Sequence, residues 1–218
     1  MPKNKQALII THMDWLKNVY LSSRVGIKVA QEQLGLDTDR LEADASFLRG
    51  WLEGTIEGEF ARNGIDPSTL ENPINVDSPK QIATFLYGGE VKTSTMESTG
   101  AMYKSGLRKG APKMRRERRV HSFKGISPFA HMPNWSDTSE EYLKFLKARL
   151  FSRTHLIDEF IDKLLAYRDA NKTLNTYFKP YLERSQATGR IHPEYKHVGT
   201  PTRRLSCTKP NVQNLKGD

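Results

Sequence analysis

The chain of 218 residues carries 34 Lys and Arg against 25 Asp and Glu, a formal charge of +9, with 37% hydrophobic residues and a single cysteine. This length can bury a real core, and an apolar content below the roughly 45–50% of globular proteins makes it polar without making it disordered. Lone Cys207 excludes an internal disulfide, no run of ~18 apolar residues offers a membrane span, and the basic balance favours a polyanionic partner over an acidic or apolar one.

The excess charge is local. Lys104, Arg108, Lys109, Lys113, Arg115, Arg116, Arg118, Arg119 and Lys124 stand together against Glu117 alone, and the rest of the chain is nearly neutral. The opening Met1-Pro2-Lys3-Asn4-Lys5 lacks the apolar core of a signal peptide. With one cysteine suited to a reducing compartment, the expectation is a cytoplasmic protein without a membrane partner.

In chain order, residues 6–21 read as a short helix through Leu8, Ile9, Met13, Leu16, Val19 and Tyr20. Gly26 supplies a turn, and Gly26-Ile27-Lys28-Val29 is a short extended piece. Gln31 to Asn63 carries a long amphipathic pattern through Leu34, Leu41, Leu48, Leu52, Ile56 and Phe60, ended by Asn63-Gly64. Asp77 or Ser78 can cap a helix that begins at Pro79 and ends at Tyr87-Gly88-Gly89. Residues 90–135 show little periodicity and read as a long loop or twisted hairpin, with Val120-His121-Ser122-Phe123 able to pair as a strand.

A second long helix is expected from Asp137 to about Gln186, with Thr138 and Glu141 at capping-box spacing and a bend at Pro180. Gly189 to Ser206 reads as a β-hairpin. The fold class that follows is mostly α with a small β part, an α+β chain: two long antiparallel helices, a basic insertion at about 90–135 and a C-terminal hairpin.

The string Thr200-Pro201-Thr202-Arg203-Arg204-Leu205-Ser206-Cys207-Thr208-Lys209-Pro210-Asn211-Val212-Gln213-Asn214-Leu215 resembles the family A DNA polymerase segment T-x-T-G-R-L-S-S-x-x-P-N-L-Q-N-I. Three further strings are similar to that family: Gly26-Ile27-Lys28-Val29, where Ala30 replaces the usual Asp; Pro73-Ile74-Asn75-Val76-Asp77-Ser78-Pro79-Lys80-Gln81; and Leu164-Leu165-Ala166-Tyr167-Arg168 with Lys172 and Thr176-Tyr177. The resemblance covers about residues 22–87 and 139–215 and is strongest from 189 onward. It implies an N-terminal helical segment at 1–21, a thumb-like domain at 22–188 and the start of a palm at 189–218. It is taken as phage type because related bacterial enzymes look shorter at the basic insertion; its compartment would then be the cytoplasm of a bacterial host.

The resemblance also implies where DNA is touched. Minor-groove edges of every correct base pair present acceptors at nearly equivalent positions, so an arginine there tests pairing shape without reading sequence. Arg204 matches the family arginine with that role, and amides at Asn211, Gln213 and Asn214 suit the same acceptors or nearby phosphates. Thr200 and Thr202 match the threonines that precede it. Arg203 takes a usual glycine position and Cys207 a usual serine.

Lys172 matches a phosphate-contacting lysine, Leu174 replaces the next, and Asn175 and Thr176 retain hydrogen-bonding groups. The bland alternative makes Tyr167 and Tyr177 core and Lys172 a solvated side chain. Arg115, Arg116, Arg118 and Arg119 would add non-specific phosphate contacts, against the rival of a passively solvated charge run. His192 fits the family hairpin as a structural residue.

Primer-template DNA is therefore the expected partner. The carboxylates that hold two Mg²⁺ in the complete polymerase are expected on a second polypeptide or missing, since no Asp/Glu pair here has the family context. The chain would have no cofactor of its own and be inactive alone, part of a nucleotidyltransferase for DNA replication. The alternatives are a non-catalytic DNA-binding accessory protein, an inactive polymerase remnant, and, from composition alone, an RNA-binding protein.

Overall fold

The computed structural model describes residues 17–127, 137–149, 155–196 and 206–212. The described residues form helices and small two-stranded antiparallel sheets, a mixed α+β fold as expected. The chain divides into two compact units, Met1–Ala45 with Arg168–Asp218, and Ser46–Tyr167.

In the first unit, residues 17–25 form helix α1. Gly26 turns the chain at φ +71°, where an added Cβ would lie 2.7 Å from the His192 ring and 2.8 Å from the Ile191 carbonyl. Only glycine fits so close an approach. It leads into strand β1, Ile27–Lys28, paired antiparallel with β4, Arg190–Ile191. His192 Nδ1 sits 3.1 Å from the Ser23 carbonyl and is structural, as the sequence suggested.

Helix α2, Gln31–Arg62, starts and ends where the periodicity places it, with Leu52, Ile56 and Phe60 buried at i, i+4 spacing. The Gln31 amide donates to the Ser185 carbonyl at 2.5 Å and lies 3.3 Å from its hydroxyl, filling a fully buried polar position.

The expected long second helix is not one regular helix. Helices α4, Glu140–Arg149, and α5, His155–Thr173, are followed by a π-helical turn, Leu174–Phe178, and by α6, Lys179–Ser185. The disturbance thus precedes Pro180. Proline has no N–H and its ring crowds the carbonyl four residues back. The wider turn, in which Lys179 N–H reaches the Leu174 carbonyl, admits Pro180 within continuing helical backbone. At the start of α4 the Asp137 carboxylate accepts from the Ser139 N–H at 2.7 Å and from its hydroxyl at 3.0 Å.

The second unit has an aromatic centre. Phe60 meets Phe123 edge-on at 5.0 Å between centroids, and Phe85 meets Phe160 at 4.7 Å. Helix α3, Pro79–Tyr87, is capped by Ser78, whose hydroxyl accepts from the Gln81 N–H at 3.5 Å, and buries Ile82, Phe85, Leu86 and Tyr87. The Gln81 side chain accepts from the Asn75 N–H and donates to the Pro73 carbonyl, bracing the turn that precedes the helix. The Pro73–Gln81 string is thus a self-closing corner.

Candidate nucleic-acid interface

Residues 89–123, all but Gly89 inside the segment read as loop or hairpin, form a long β-hairpin. Strands β2, Gly89–Met102, and β3, Pro112–Phe123, pair antiparallel from Gly89↔Phe123 to Ser98↔Met114, with an irregularity before Met102↔Pro112. At ~3.4 Å per residue a strand of 14 residues spans roughly 45 Å. Only the root is packed: Val91, Thr93 and Phe123 are buried, and the Thr93 hydroxyl lies 2.8 Å from His121 Nε2. Beyond Met96 every residue of β2 is exposed. The hairpin is a projecting arm with nine basic residues against Glu90, Glu97 and Glu117.

Its four predicted arginines divide. Arg118 pairs with Glu71 at 3.0 Å, and Arg119 with Glu97 and Glu117 at 3.2 Å each. Arg115 and Arg116 are exposed and, among the described residues, form no ion pair. The two carboxyl groups beside Arg119 act on one another. A hydrogen bond to Glu117, then its negative charge, raises the Glu97 pKa, while the same bond and Arg119 lower that of Glu117. Pairing across strands thus tempers the charge that sequence order alone concentrates. Lys92, outside the run that drew attention in the sequence, joins the arm opposite Val120.

In the first unit, Lys172, Asn175 and Thr176 are all exposed, at the end of α5 and in the π-helical turn. Their i, i+3, i+4 spacing brings them together on one side of the helical run. The Asn175 amide donates to the Asn171 carbonyl at 2.9 Å and contacts its side-chain oxygen at 2.6 Å, which holds it in place. Tyr167 is not part of such a surface. It is buried, as the alternative reading had it, and its hydroxyl donates to Asp77.

Strands β5, Glu194–Lys196, and β6, Ser206–Thr208, pair antiparallel as the expected C-terminal hairpin. Asn211 follows a cis Lys209–Pro210 peptide, and its carbonyl accepts from the Tyr181 hydroxyl at 2.7 Å. Cys207 is buried, with Sγ 3.3 Å from the Pro210 carbonyl, a packing role for the residue that replaces serine. Thr200, Thr202, Arg203, Arg204, Gln213 and Asn214 lie outside the described residues.

A family model for DNA polymerase family A matches residues 63–217. The chain belongs to DNA polymerase family A. The family member DNA polymerase I of Mycobacterium tuberculosis is 25% identical over 207 residues, 94% of this chain and 21% of its own length. DNA polymerase I of Treponema pallidum is 39% identical over 64 residues, 29% of this chain and 6% of that relative. Among solved structures, the polymerase domain of Pol1 from M. smegmatis, in complex with DNA primer-template and dNTP, superposes with a TM-score of 0.54 at 20% identity. It covers 92% of this chain and 26% of its own. The chain thus has a fold found in family A polymerase domains and spans about a fifth of the length of its full-coverage relatives.

Among the described residues no group of three or more His, Cys, Asp or Glu could hold a metal ion. These described residues do not fit a Mg²⁺ pair. No described helix is long and apolar enough to cross a membrane.

Proposed function

We propose that this chain is the duplex-holding portion of a DNA polymerase, a thumb and the first palm strands, that grips primer-template DNA during replication. The observation that carries this is the β2–β3 arm: a cationic, largely exposed projection on a fold whose solved counterpart was captured with primer-template. Lysine and arginine on such an arm bind phosphates by releasing condensed counterions, which gives affinity without sequence readout and suits an enzyme that must translocate. Lys172, Asn175 and Thr176 add a second set of phosphate and sugar donors. Arg204 and Gln213 are assigned near the primer end through the family motif, with Asn211 and Asn214 as further DNA contacts and Thr200 and Thr202 ordering the hairpin or meeting a phosphate.

The Mg²⁺-binding carboxylates of the complete enzyme lie, in this reading, in polypeptide outside these 218 residues. A cavity of about 770 Å³ in the first unit, lined by Val19, Ile27, Val29, Leu34, Tyr181 and Ile191, offers an apolar seat for that remainder. The phage-type assignment rests on the sequence resemblance alone, in which the basic segment is read as an insertion.

Fluorescence anisotropy with a labelled primer-template duplex tests the reading. Binding should weaken steeply with salt, and the R115A/R116A double variant should lower the slope of log K against log[salt] by about 1.8, at ~0.9 per lost phosphate contact. A chain that binds no duplex at low salt, or a double variant with unchanged slope, overturns it. R204A should weaken binding to a recessed primer end more than to a blunt duplex.

A further inference from the structure

The apex of the arm is built differently from its shaft. Residues 103–111 close on themselves: Tyr103 N–H donates to the Ala111 carbonyl, Gly110 N–H to the Tyr103 carbonyl, and Lys109 N–H to the Gly106 carbonyl, each at 3.0 Å. Gly106 and Gly110 supply left-handed φ values of +83° and +84°. Lys113 Nζ lies 5.5 Å from the Tyr103 ring, fixing the base of the loop. The two central residues of the Gly106–Lys109 turn are Leu107 and Arg108.

Leu107 is fully exposed, so an ordered turn holds an aliphatic side chain at its extremity, flanked by Lys104, Arg108 and Lys109. Met102 is exposed just below it, and Met96 and Met114 lie further along the shaft, so the apolar side chains continue down the arm among the cations.

We propose that the arm enters the minor groove of duplex DNA and that Leu107 wedges between neighbouring base pairs, unstacking one step, while Lys104, Arg108 and Lys109 bind the flanking phosphates. Apolar wedges on basic supports are the physical means by which minor-groove binders kink DNA. The cost of unstacking is offset by the extra surface the bent duplex wraps. The cost is lowest at flexible pyrimidine–purine steps, which would give the arm a preference for such steps without base-specific hydrogen bonds. The inference rests on the duplex-binding reading above and adds a deformation to it.

The test uses the full chain and a series of duplexes carrying 2-aminopurine at successive steps, whose fluorescence rises on unstacking, with anisotropy read in parallel. Wild-type protein should raise the fluorescence at one or two steps. The L107A variant, altered at a fully exposed site, should lose the rise while anisotropy still reports duplex binding through the phosphate contacts. The K104A/R108A/K109A variant should weaken binding and lower the salt slope.

Wild-type binding with no rise at any step, or an equal rise from L107A, overturns the wedge and leaves duplex binding intact. A rise with single-stranded DNA but not with duplex also overturns it, reassigning the tip to unpaired bases. Failure of wild type to bind any duplex overturns the wedge and the duplex-holding function together.

Discussion

The Tyr167 hydroxyl donates to both carboxylate oxygens of Asp77, at 3.0 and 3.1 Å, and ties α5 to the corner before α3. Burial first, then this bond, pushes the Tyr167 phenol up to about 12, and burial does the same for Tyr181. The ordinary tyrosine value is about 10. Between pH 10 and 12 the unfolded chain releases these protons while the folded chain retains them. Their contribution to stability is therefore complete below pH 10 and falls as pH rises towards 12. Urea unfolding followed across this range should show that loss, and Tyr167→Phe should reduce its slope. At neutral pH the same variant should cost about 1.5–3 kcal/mol, the range for a hydrogen bond to a charged partner.

Glycines 50, 54 and 58 sit inside α2 with nothing within 4 Å of where a Cβ would be. Gly54→Ala should accordingly stabilise the fold by up to about 1 kcal/mol through helix propensity, measured as a raised Tm. These glycines leave no mark on the hydrophobic periodicity, which is why the pattern found the helix without finding its weak stretch.

At the scale of elements, the arm depends on its root. Gly88 and Gly125 have φ of +93° and +77°, and a Cβ on Gly125 would fall against the backbone of Gly88 and Tyr87, where no side chain can move aside. Gly125→Ala should cost about 2–4 kcal/mol, combining left-handed strain with overlap, read by denaturant unfolding. Phe123, stacked at 6.2 Å on Phe85 and edge-on to Phe60, anchors β3 in the core. Phe123→Ala should cost about 3–5 kcal/mol and weaken DNA binding, because the arm then loses its fixed base.

Much of this scale was legible in the sequence. The bounds of α2, the Ser78-Pro79 start of α3 and its end at Tyr87 follow from caps and periodicity alone. The β2–β3 hairpin was only one of two readings, because most of its residues alternate no apolar face. Its strands are held by backbone pairing and a packed root, to which a hydrophobic pattern is blind. The π-helical turn was likewise missed, since Pro180 signals a disturbance but not its position.

For the molecule as a whole, the duplex-holding reading makes a prediction that single residues cannot carry. Mixed with a polypeptide bearing the remaining palm and fingers of a family A polymerase, the chain should restore Mg²⁺-dependent primer extension, and neither should extend a primer alone. Arg204→Ala should lower the restored extension rate by at least about tenfold, the loss of ~1.4 kcal/mol of transition-state stabilisation. No extension from the mixture while duplex binding persists would favour the accessory-protein reading, and extension by this chain alone would overturn both readings.

The sequence by itself determined the family, the helical framework and the location of the charge, because motif order, helical periodicity and composition are written along one dimension. It also marked His192 as structural, and its ring meets the Ser23 carbonyl. What only the tertiary structure decided is which charges are available. Arg118 and Arg119 look equivalent to Arg115 and Arg116 in the string Arg115-Arg116-Glu117-Arg118-Arg119, yet Arg118 meets Glu71, and Arg119 meets Glu97 brought across by strand pairing. The structure alone also set Leu107 at the apex of a closed turn, because exposure is a property of the space around a side chain and not of its neighbours in sequence.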